Sequence, residues 1–261
     1  MEEILKNAAL ERLEAGDLAL GVGIRQARTV DIAPMMKAAG YDWLFLDLEH
    51  NSMDLDTAVQ ISVAALGAGI APIARVPAGQ FWLATRLLDG GALGIVMPHV
   101  DTAEEAREIA RRYKYPPLGQ RSIAGGLPHL GYRPAALAET CAAINRATLL
   151  VVMLESARGI ANAAEIAATP GIDSLLIGTN DLTLELGIPG QLGEERIVAA
   201  YRTVIDACRA HGKYAGLGGV YDEVVARRYI EMGTRLILTG SDNGFLASAA
   251  SARAKLVKSW L

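Results

Sequence analysis

Short apolar runs recur along the chain at a steady interval: "LALGVGI" (18–24), "WLFLDL" (43–48), "APIARV" (71–76), "LGIVMP" (93–98), "LLVVMLE" (149–155), "SLLIGT" (174–179), "KYAGLG" (213–218) and "RLILTG" (235–240). Each is short and carries no sustained apolar/polar alternation, the mark of a strand buried on both faces. Between them lie stretches such as "DLDTAVQISVAALGAG", "TAEEAREIARRY" and "YDEVVARRYIEMG", whose apolar positions fall three and four apart and predict helices. Gly40, Gly69, Gly212 and Gly233 stand where those helices should stop. Eight strands, each followed by a helix, predict an α/β fold of the (β/α)8 TIM-barrel kind. An open doubly wound sheet is the competing arrangement. The count of eight speaks against it, and so does "GVGIRQA", which has a GxG but not the third glycine of a dinucleotide fingerprint. No Ser/Pro/Gly-rich linker or low-complexity tract divides the chain, so residues 1–261 are expected to form one domain. One connection is long: "KYPPLGQRSIAGGLPHLGYRP" (114–134) and a helix separate the fourth strand's helix from the fifth strand. Loops of that length in compact domains are usually functional or mobile.

Composition narrows the function classes. The formal net charge of −4 lacks the basic excess of a nucleic-acid binder. No apolar run approaches the 18 or so residues of a membrane span. The N-terminal "MEEILKNAALERLEAG" is charged and amphipathic, unlike a signal peptide. The two cysteines, Cys141 and Cys208, lie far apart in alanine-rich helical contexts and are expected to be structural thiols. These features predict a cytoplasmic protein.

A barrel of this kind does its chemistry at the C-terminal ends of its strands. There the sequence places His50, Arg75, Pro98, His99, Glu155 and Asp181. An ionised Glu155 beside a barrel core requires a partner, either a neighbouring arginine or a metal. Asp181, after Gly178, Thr179 and Asn180, is placed either to N-cap a helix starting near Leu182 or to ligate a metal. Two carboxylates on adjacent strand ends, with no Cys/His cluster, suit a hard cation such as Mg²⁺ or Mn²⁺ and leave coordination positions open for water and substrate. The glycine and the successive amides of 178–181 suit close approach of an anion. Arg75 can hold a carboxylate or a developing enolate, or pair with a barrel acid. Histidine is a common proton carrier, so His50 can move protons, with Asp47 placed to orient it. Glu49 is expected to point away from His50 by alternation, bracing the loop or a subunit contact. His99 is a weaker candidate at the rim, and His129, in the long loop, is placed to touch a substrate tail. His211 is expected at a helix end.

In their order along nearly the whole chain, "YDWLFLDLEH", "ARVPAG", "RLLDGGALGIVMPHVDTAEEA", "RYKYPPLGQRS", "VVMLESARG", "GIDSLLIGTNDLTLELG" and "GSDNGFLA" resemble the class II, metal-dependent pyruvate aldolases of the HpcH/HpaI type, the 2,4-dihydroxyhept-2-ene-1,7-dioate aldolase family. The resemblance implies a barrel of the phosphoenolpyruvate/pyruvate superfamily. It implies reversible cleavage of a 4-hydroxy-2-oxo acid to a 2-oxo acid, pyruvate or a relative of it, and an aldehyde. It also implies a divalent cation (Mg²⁺, Mn²⁺ or Co²⁺) held by Glu155 and Asp181. Arg75 would stabilise the enolate oxygen, His50 would transfer the proton with support from Asp47, and the amides near Asn180 and Asp181 would receive the pyruvate carboxylate. Asp89 would reach a neighbouring active site in a homohexamer, a trimer of dimers with the last helix exchanged. No Schiff-base lysine is required, and the strands hold almost none: Lys213 stands at the wrong end of its strand.

The chain departs from the family pattern in three places. Met153 stands where Gln is common, Leu48 replaces the glycine of "DGEH", and no tryptophan stands near Ile24 and Arg25. A thioether at 153 cannot donate the hydrogen bond of an amide, so Met153 and Leu48 are both expected to make the donor pocket more apolar and to alter specificity. Two other functions fit the same residues less well. A citrate-lyase-β-like or malyl-CoA-type lyase would need a basic patch for a CoA phosphate, and none stands out. A non-catalytic ligand sensor would not need Glu155, Asp181 and Arg75 together.

Overall fold

The computed structural model describes residues 5–261, so the first four residues of the amphipathic N-terminal stretch lie outside it. Eight parallel strands close into a barrel in chain order: β1 (Ala19–Ile24), β2 (Trp43–Asp47), β3 (Ala71–Arg75), β4 (Gly94–Met97), β5 (Leu149–Leu154), β6 (Ser174–Gly178), β7 (Tyr214–Gly218) and β8 (Leu236–Ser241). Each falls within, or one residue beyond, an apolar run of the sequence. The helices are α1 (Ala8–Glu14), α2 (Ile32–Ala38), α3 (Leu55–Ala68), α4 (Phe81–Asp89), α5 (Ala103–Tyr113), α6 (Leu137–Ala147), α7 (Ala157–Ala161), α8 (Ala163–Ala167), α9 (Thr179–Glu185), α10 (Glu195–Ala210), α11 (Glu223–Met232) and α12 (Asp242–Lys258). Local chemistry sets their ends. Thr102 and Glu105 form a reciprocal capping box at the start of α5, and Gly69 takes the left-handed conformation that stops α3.

Strand alternation divides the buried residues into two layers. Trp43, Phe45, Ile73, Val96, Val151, Met153, Leu176 and Leu238 pack inside the barrel. Leu44, Leu46, Leu150, Val152, Leu175 and Ile177 pack between the barrel and the helices. The barrel is a filled core, not a pore. Helix α1 lies against its N-terminal end, the foot. There Ala9 and Leu13 join the inner cluster, and Asn7 Nδ2 donates to the carbonyls of Leu93 and Ala147.

The layers correct one expectation. Leu48 belongs to the outer cluster, so its added bulk faces the helices and not the donor pocket. The long connection is also placed differently from a rim loop. Apart from one 3-10 turn at Pro128–Leu130, it runs beneath the foot, where Tyr115, Leu127 and Ile144 form a small core of their own. His129 is buried there with Nε2 3.0 Å from the carbonyl of Ala92, so it does not reach a substrate at the rim. Among the described residues no helix is long and apolar enough to cross a membrane.

Candidate active site

The parallel register sets the first contact of the rim. Asp47 ends β2 directly opposite Arg75, the last residue of β3, and both point inward. Arg75 closes a bidentate pair on Asp47, with Nε 3.0 Å from Oδ1 and Nη2 2.7 Å from Oδ2, and its guanidinium lies 5.0 Å from the centre of the Phe45 ring. Nη1 of Arg75 is 3.1 Å from Glu49 Oε2, and Nε of Arg25 is 3.2 Å from Asp47 Oδ2. Burial pushes the Asp47 carboxyl up, but hydrogen bonds and charge from Arg75, the charge of Arg25 and the His50 amide outweigh it and hold the group below its ordinary value.

This geometry revises the expected roles of two acids. Asp47 meets His50 only through the backbone, Oδ1 accepting from the amides of Glu49 and His50 at 3.2 and 3.3 Å. The imidazole has Glu49 for its neighbour instead, with His50 Nε2 3.7 Å from Glu49 Oε2. Alternation pointed Glu49 the other way, but β2 ends at Asp47. Beyond that residue the period of two no longer governs side-chain direction.

Across the mouth, on β5 and β6, the balance is acidic. Glu155 is 5 % exposed. Its Oε2 accepts from the His99 amide at 2.8 Å and lies 3.2 Å from His99 Nδ1. His99 holds φ of +55° to make this contact, a conformation uncommon outside glycine. No arginine pairs with Glu155 among the described residues. Burial raises its pKa to about 7; the His99 amide and charge oppose the rise, and Asp181 and Glu49 add to it. Gly178 leaves the room Glu155 occupies, since a Cβ there would collide with Glu155 Oε1. Asp181 is not an N-cap: α9 starts at Thr179, and Gly178 holds the cap position. Its carboxylate is therefore free in the first turn, beside amides that a helix start leaves unpaired. Among the described residues no group of three or more His, Cys, Asp or Glu could enclose an ion. The donor set is thus two carboxylates, one of them short of positive charge, which fits a hard cation completed by water and substrate oxygens.

Two adjoining cavities share Asp181. One, of about 290 Å³, is walled by Arg25, His50, Arg75, Asn180, Asp181 and Tyr221 over a floor of Phe45, Met153, Leu176 and Leu238, with Gly178 in its lining. The other, about 380 Å³, contains His99, Glu155 and Ser156. Met153 lines this cavity. Asp89, which the family resemblance directs to a neighbouring subunit's site, lies at the end of α4, just before β4, and accepts from Arg121 Nη2 at 2.6 Å near the foot of its own chain. Sequence reasoning passed over Tyr221 and left Arg25 without a role. Arg25 had a usable signal, since it directly follows β1 and the strand-end rule applies to it as to Arg75.

A family model, HpcH/HpaI aldolase/citrate lyase, matches residues 25–249. The chain is 38 % identical over 252 residues to the 4-hydroxy-4-methyl-2-oxoglutarate aldolase tasA of Hapsidospora irregularis, covering 94 % of this chain and 92 % of that protein. It is 34 % identical over 220 residues to a 5-keto-4-deoxy-D-glucarate aldolase of Escherichia coli, covering 84 % of this chain and 85 % of the relative. The crystal structure of an HpcH/HpaI aldolase from Desulfitobacterium hafniense superposes with a TM-score of 0.91 at 27 % identity, covering 97 % of each chain. With a closed eight-stranded barrel whose rim holds the acids, arginine and histidine of the sequence motifs, the chain belongs to the HpcH/HpaI aldolase/citrate lyase family.

Proposed function

We propose that Glu155 and Asp181 form the metal-holding centre of a class II aldolase. The chain is a carbon–carbon lyase that cleaves a 4-hydroxy-2-oxo acid to pyruvate or a related 2-oxo acid and an aldehyde. The observation that carries the metal reading is the buried, underneutralised Glu155 beside a second acid. Glu155 and Asp181 would hold a divalent cation (Mg²⁺, Mn²⁺ or Co²⁺), which would supply Lewis-acid stabilisation of developing negative charge. The chain's own groups do the rest. The open amides of Asn180 and Asp181 and the space at Gly178 receive the substrate carboxylate. Arg75, fixed by Asp47, faces the developing enolate. His50 takes the 4-hydroxyl proton, directly or through water, as the C3–C4 bond breaks and its electrons pass to the keto-acid fragment. In this reading Glu49, not Asp47, is the group beside the imidazole. The apolar floor of Phe45, Met153 and Leu176 excludes water from the carbanion.

The same proposal takes residues 1–261 as one domain acting in the cytoplasm, where the free thiols Cys141 and Cys208 are at home. It takes the assembly as a hexamer, a trimer of dimers. Helix α12 supports this: it has no buried residue and exposes Leu246, Leu256 and Val257, as a helix exchanged between neighbours would in a lone chain. Asp89 would then act toward a neighbouring subunit.

Incubation with pyruvate in D₂O, followed by NMR of the methyl signal, tests the chemistry. Divalent-metal-dependent exchange, abolished by a chelator, is expected. No exchange with any of the three ions would overturn the aldolase reading. Light scattering after size exclusion tests the hexamer.

A further inference from the structure

The chain leaves β4 with an irregularity that the aldol chemistry does not explain. Met97, the last residue of β4, pairs in register with Val152 of β5. Beyond it, the Val100 amide donates to the Met153 carbonyl at 3.1 Å. In an unbroken parallel ladder that carbonyl would belong to the amide of residue 99. The chain instead arrives one residue late, with His99 left out of the pairing at φ of +55°, as at a bulge. Packing does not account for the turn, because the His99 side chain is 54 % exposed. A non-glycine residue holds such a conformation where its surroundings require it.

What the irregularity achieves is a double hold on one oxygen of Glu155. The amide released from the ladder donates to Glu155 Oε2 at 2.8 Å, and the ring of the same residue brings Nδ1 to 3.2 Å from that oxygen. The second contact is attractive when Nδ1 carries the ring proton. The far nitrogen, Nε2, lies 3.9 Å from Glu49 Oε1, so the imidazole stands between two acids. Oε1 of Glu155 is left over. Among the described residues nothing donates to it. It faces β6, where a Cβ on Gly178 would come within 2.4 Å of it, and β6 runs directly into the helix turn that carries Asp181. His99, Glu155 and Asp181 line one cavity.

We propose that His99 is a positioning residue for the metal centre: its amide and Nδ1 hold Glu155 Oε2, so that Oε1 alone is presented to the cation beside Asp181. This assignment rests on the reading of Glu155 and Asp181 as the metal-holding pair. It gives the bend after β4 a purpose, since one residue supplies both donors to one oxygen. It also limits Glu155 to one coordination position and keeps the others for water and substrate oxygens.

Isothermal titration with Mn²⁺ is the test. His99→Gly keeps the left-handed backbone and the amide but removes the ring, and it should weaken Mn²⁺ binding by about 10- to 100-fold. His99→Asn also tolerates positive φ and carries a side-chain N–H, so it should recover part of that loss. A residue that only braced the turn would give a different result: the metal-free His99→Gly protein would melt earlier, and its folded fraction would keep the wild-type Mn²⁺ affinity. That outcome would overturn the assignment. A second measurement needs no substitution. In wild-type protein loaded with Mg²⁺, long-range ¹H–¹⁵N correlations of the His99 ring should place a proton on Nδ1. A bare Nδ1 would also overturn the assignment, and this result decides alone should the glycine variant not fold. Glu155→Gln separates the two levels. If the wild-type protein binds Mn²⁺, Glu155→Gln loses it and His99→Gly does not, only the role of His99 is lost. If the wild-type protein binds no Mn²⁺, or if Glu155→Gln binds it unchanged, the metal reading and the role of His99 fall together.

Discussion

Lys114 at the foot of the barrel and Glu155 at its rim are both buried charges, and their surroundings handle them in opposite ways. At the foot, Asp173 accepts from the Leu150 amide at 2.8 Å and lies 3.2 Å from Lys114 Nζ. That ammonium also donates to the carbonyls of Asn145 and Thr148 at 2.9 and 2.6 Å. Every donor of Lys114 has an acceptor, as a buried cation requires. At the rim, Glu155 has one backbone donor and a histidine, and its other charged neighbours are acids. A buried charge that is fully matched at Lys114 and left short of partners at Glu155 points to stability in the first place and function in the second.

Removing the rim acid tests this most sharply. Glu155→Gln should lower kcat/KM for aldol cleavage by on the order of a thousandfold. The unfolding temperature of the metal-free protein should stay the same or rise, because an uncompensated buried carboxyl has been made neutral at nearly constant shape. A variant that loses stability and keeps activity would make Glu155 a structural residue. Asp173→Ala is the mirror image. It strands Lys114 in the interior and should cost about 3 kcal/mol, a fall in Tm of roughly 6–10 °C, while the folded fraction keeps its kcat/KM within about twofold. Thermal denaturation and steady-state kinetics on both variants measure the contrast. If both lose activity and stability in parallel, the two ends are not separable.

The sequence carried the strands and most of the rim, and the reason is periodic. Strand and helix repeats are local, so all eight strands were legible, and with them the positions of Arg75, Met153, Glu155 and Gly178, within a strand or just beyond it; Arg25, just beyond β1, was open to the same rule and was left without a role. Legibility ended where the repeat did. Glu49 lies two residues past β2, and its turn toward His50 and Arg75 depends on a bend that no alternation predicts. Leu48 was misassigned for a related reason. A departure from a family motif says that a position differs, not which layer it packs in, and only the closed barrel puts Leu48 against the helices. The pairing of Asp47 with Arg75 required strand register, which spacing along the chain does not contain. The descent of the 114–134 loop to the foot, taking His129 with it, is a tertiary fact of the same kind.

A smaller change at the rim probes how tightly the acid pair is arranged. Gly178 leaves the volume in which the Glu155 carboxylate sits. Gly178→Ala should displace that carboxylate without removing it and weaken Mn²⁺ binding by about 10- to 100-fold, the usual effect of disturbing a ligand's support. Isothermal titration with Mn²⁺ reads this directly. Unchanged affinity would mean that Glu155 binds the ion in some position the glycine does not govern.

The gentlest test concerns the floor between the acidic wall and the arginine wall. Met153 is 5 % exposed and lines the cavity, two residues before Glu155, so its thioether faces the region where the keto acid lies. Met153→Gln keeps the length of the side chain and adds an amide that can donate to a bound oxygen. An unfilled amide in an apolar pocket is unfavourable, so the variant should gain relative preference for donors or acceptors with an extra oxygen and lose some for apolar ones. The shift should be a few-fold, within the range that a single pocket group controls. It should appear in competition between paired substrates and leave the metal dependence of pyruvate exchange as it was. An identical donor and acceptor profile would show that specificity is set at the walls alone, with the floor serving only to exclude water.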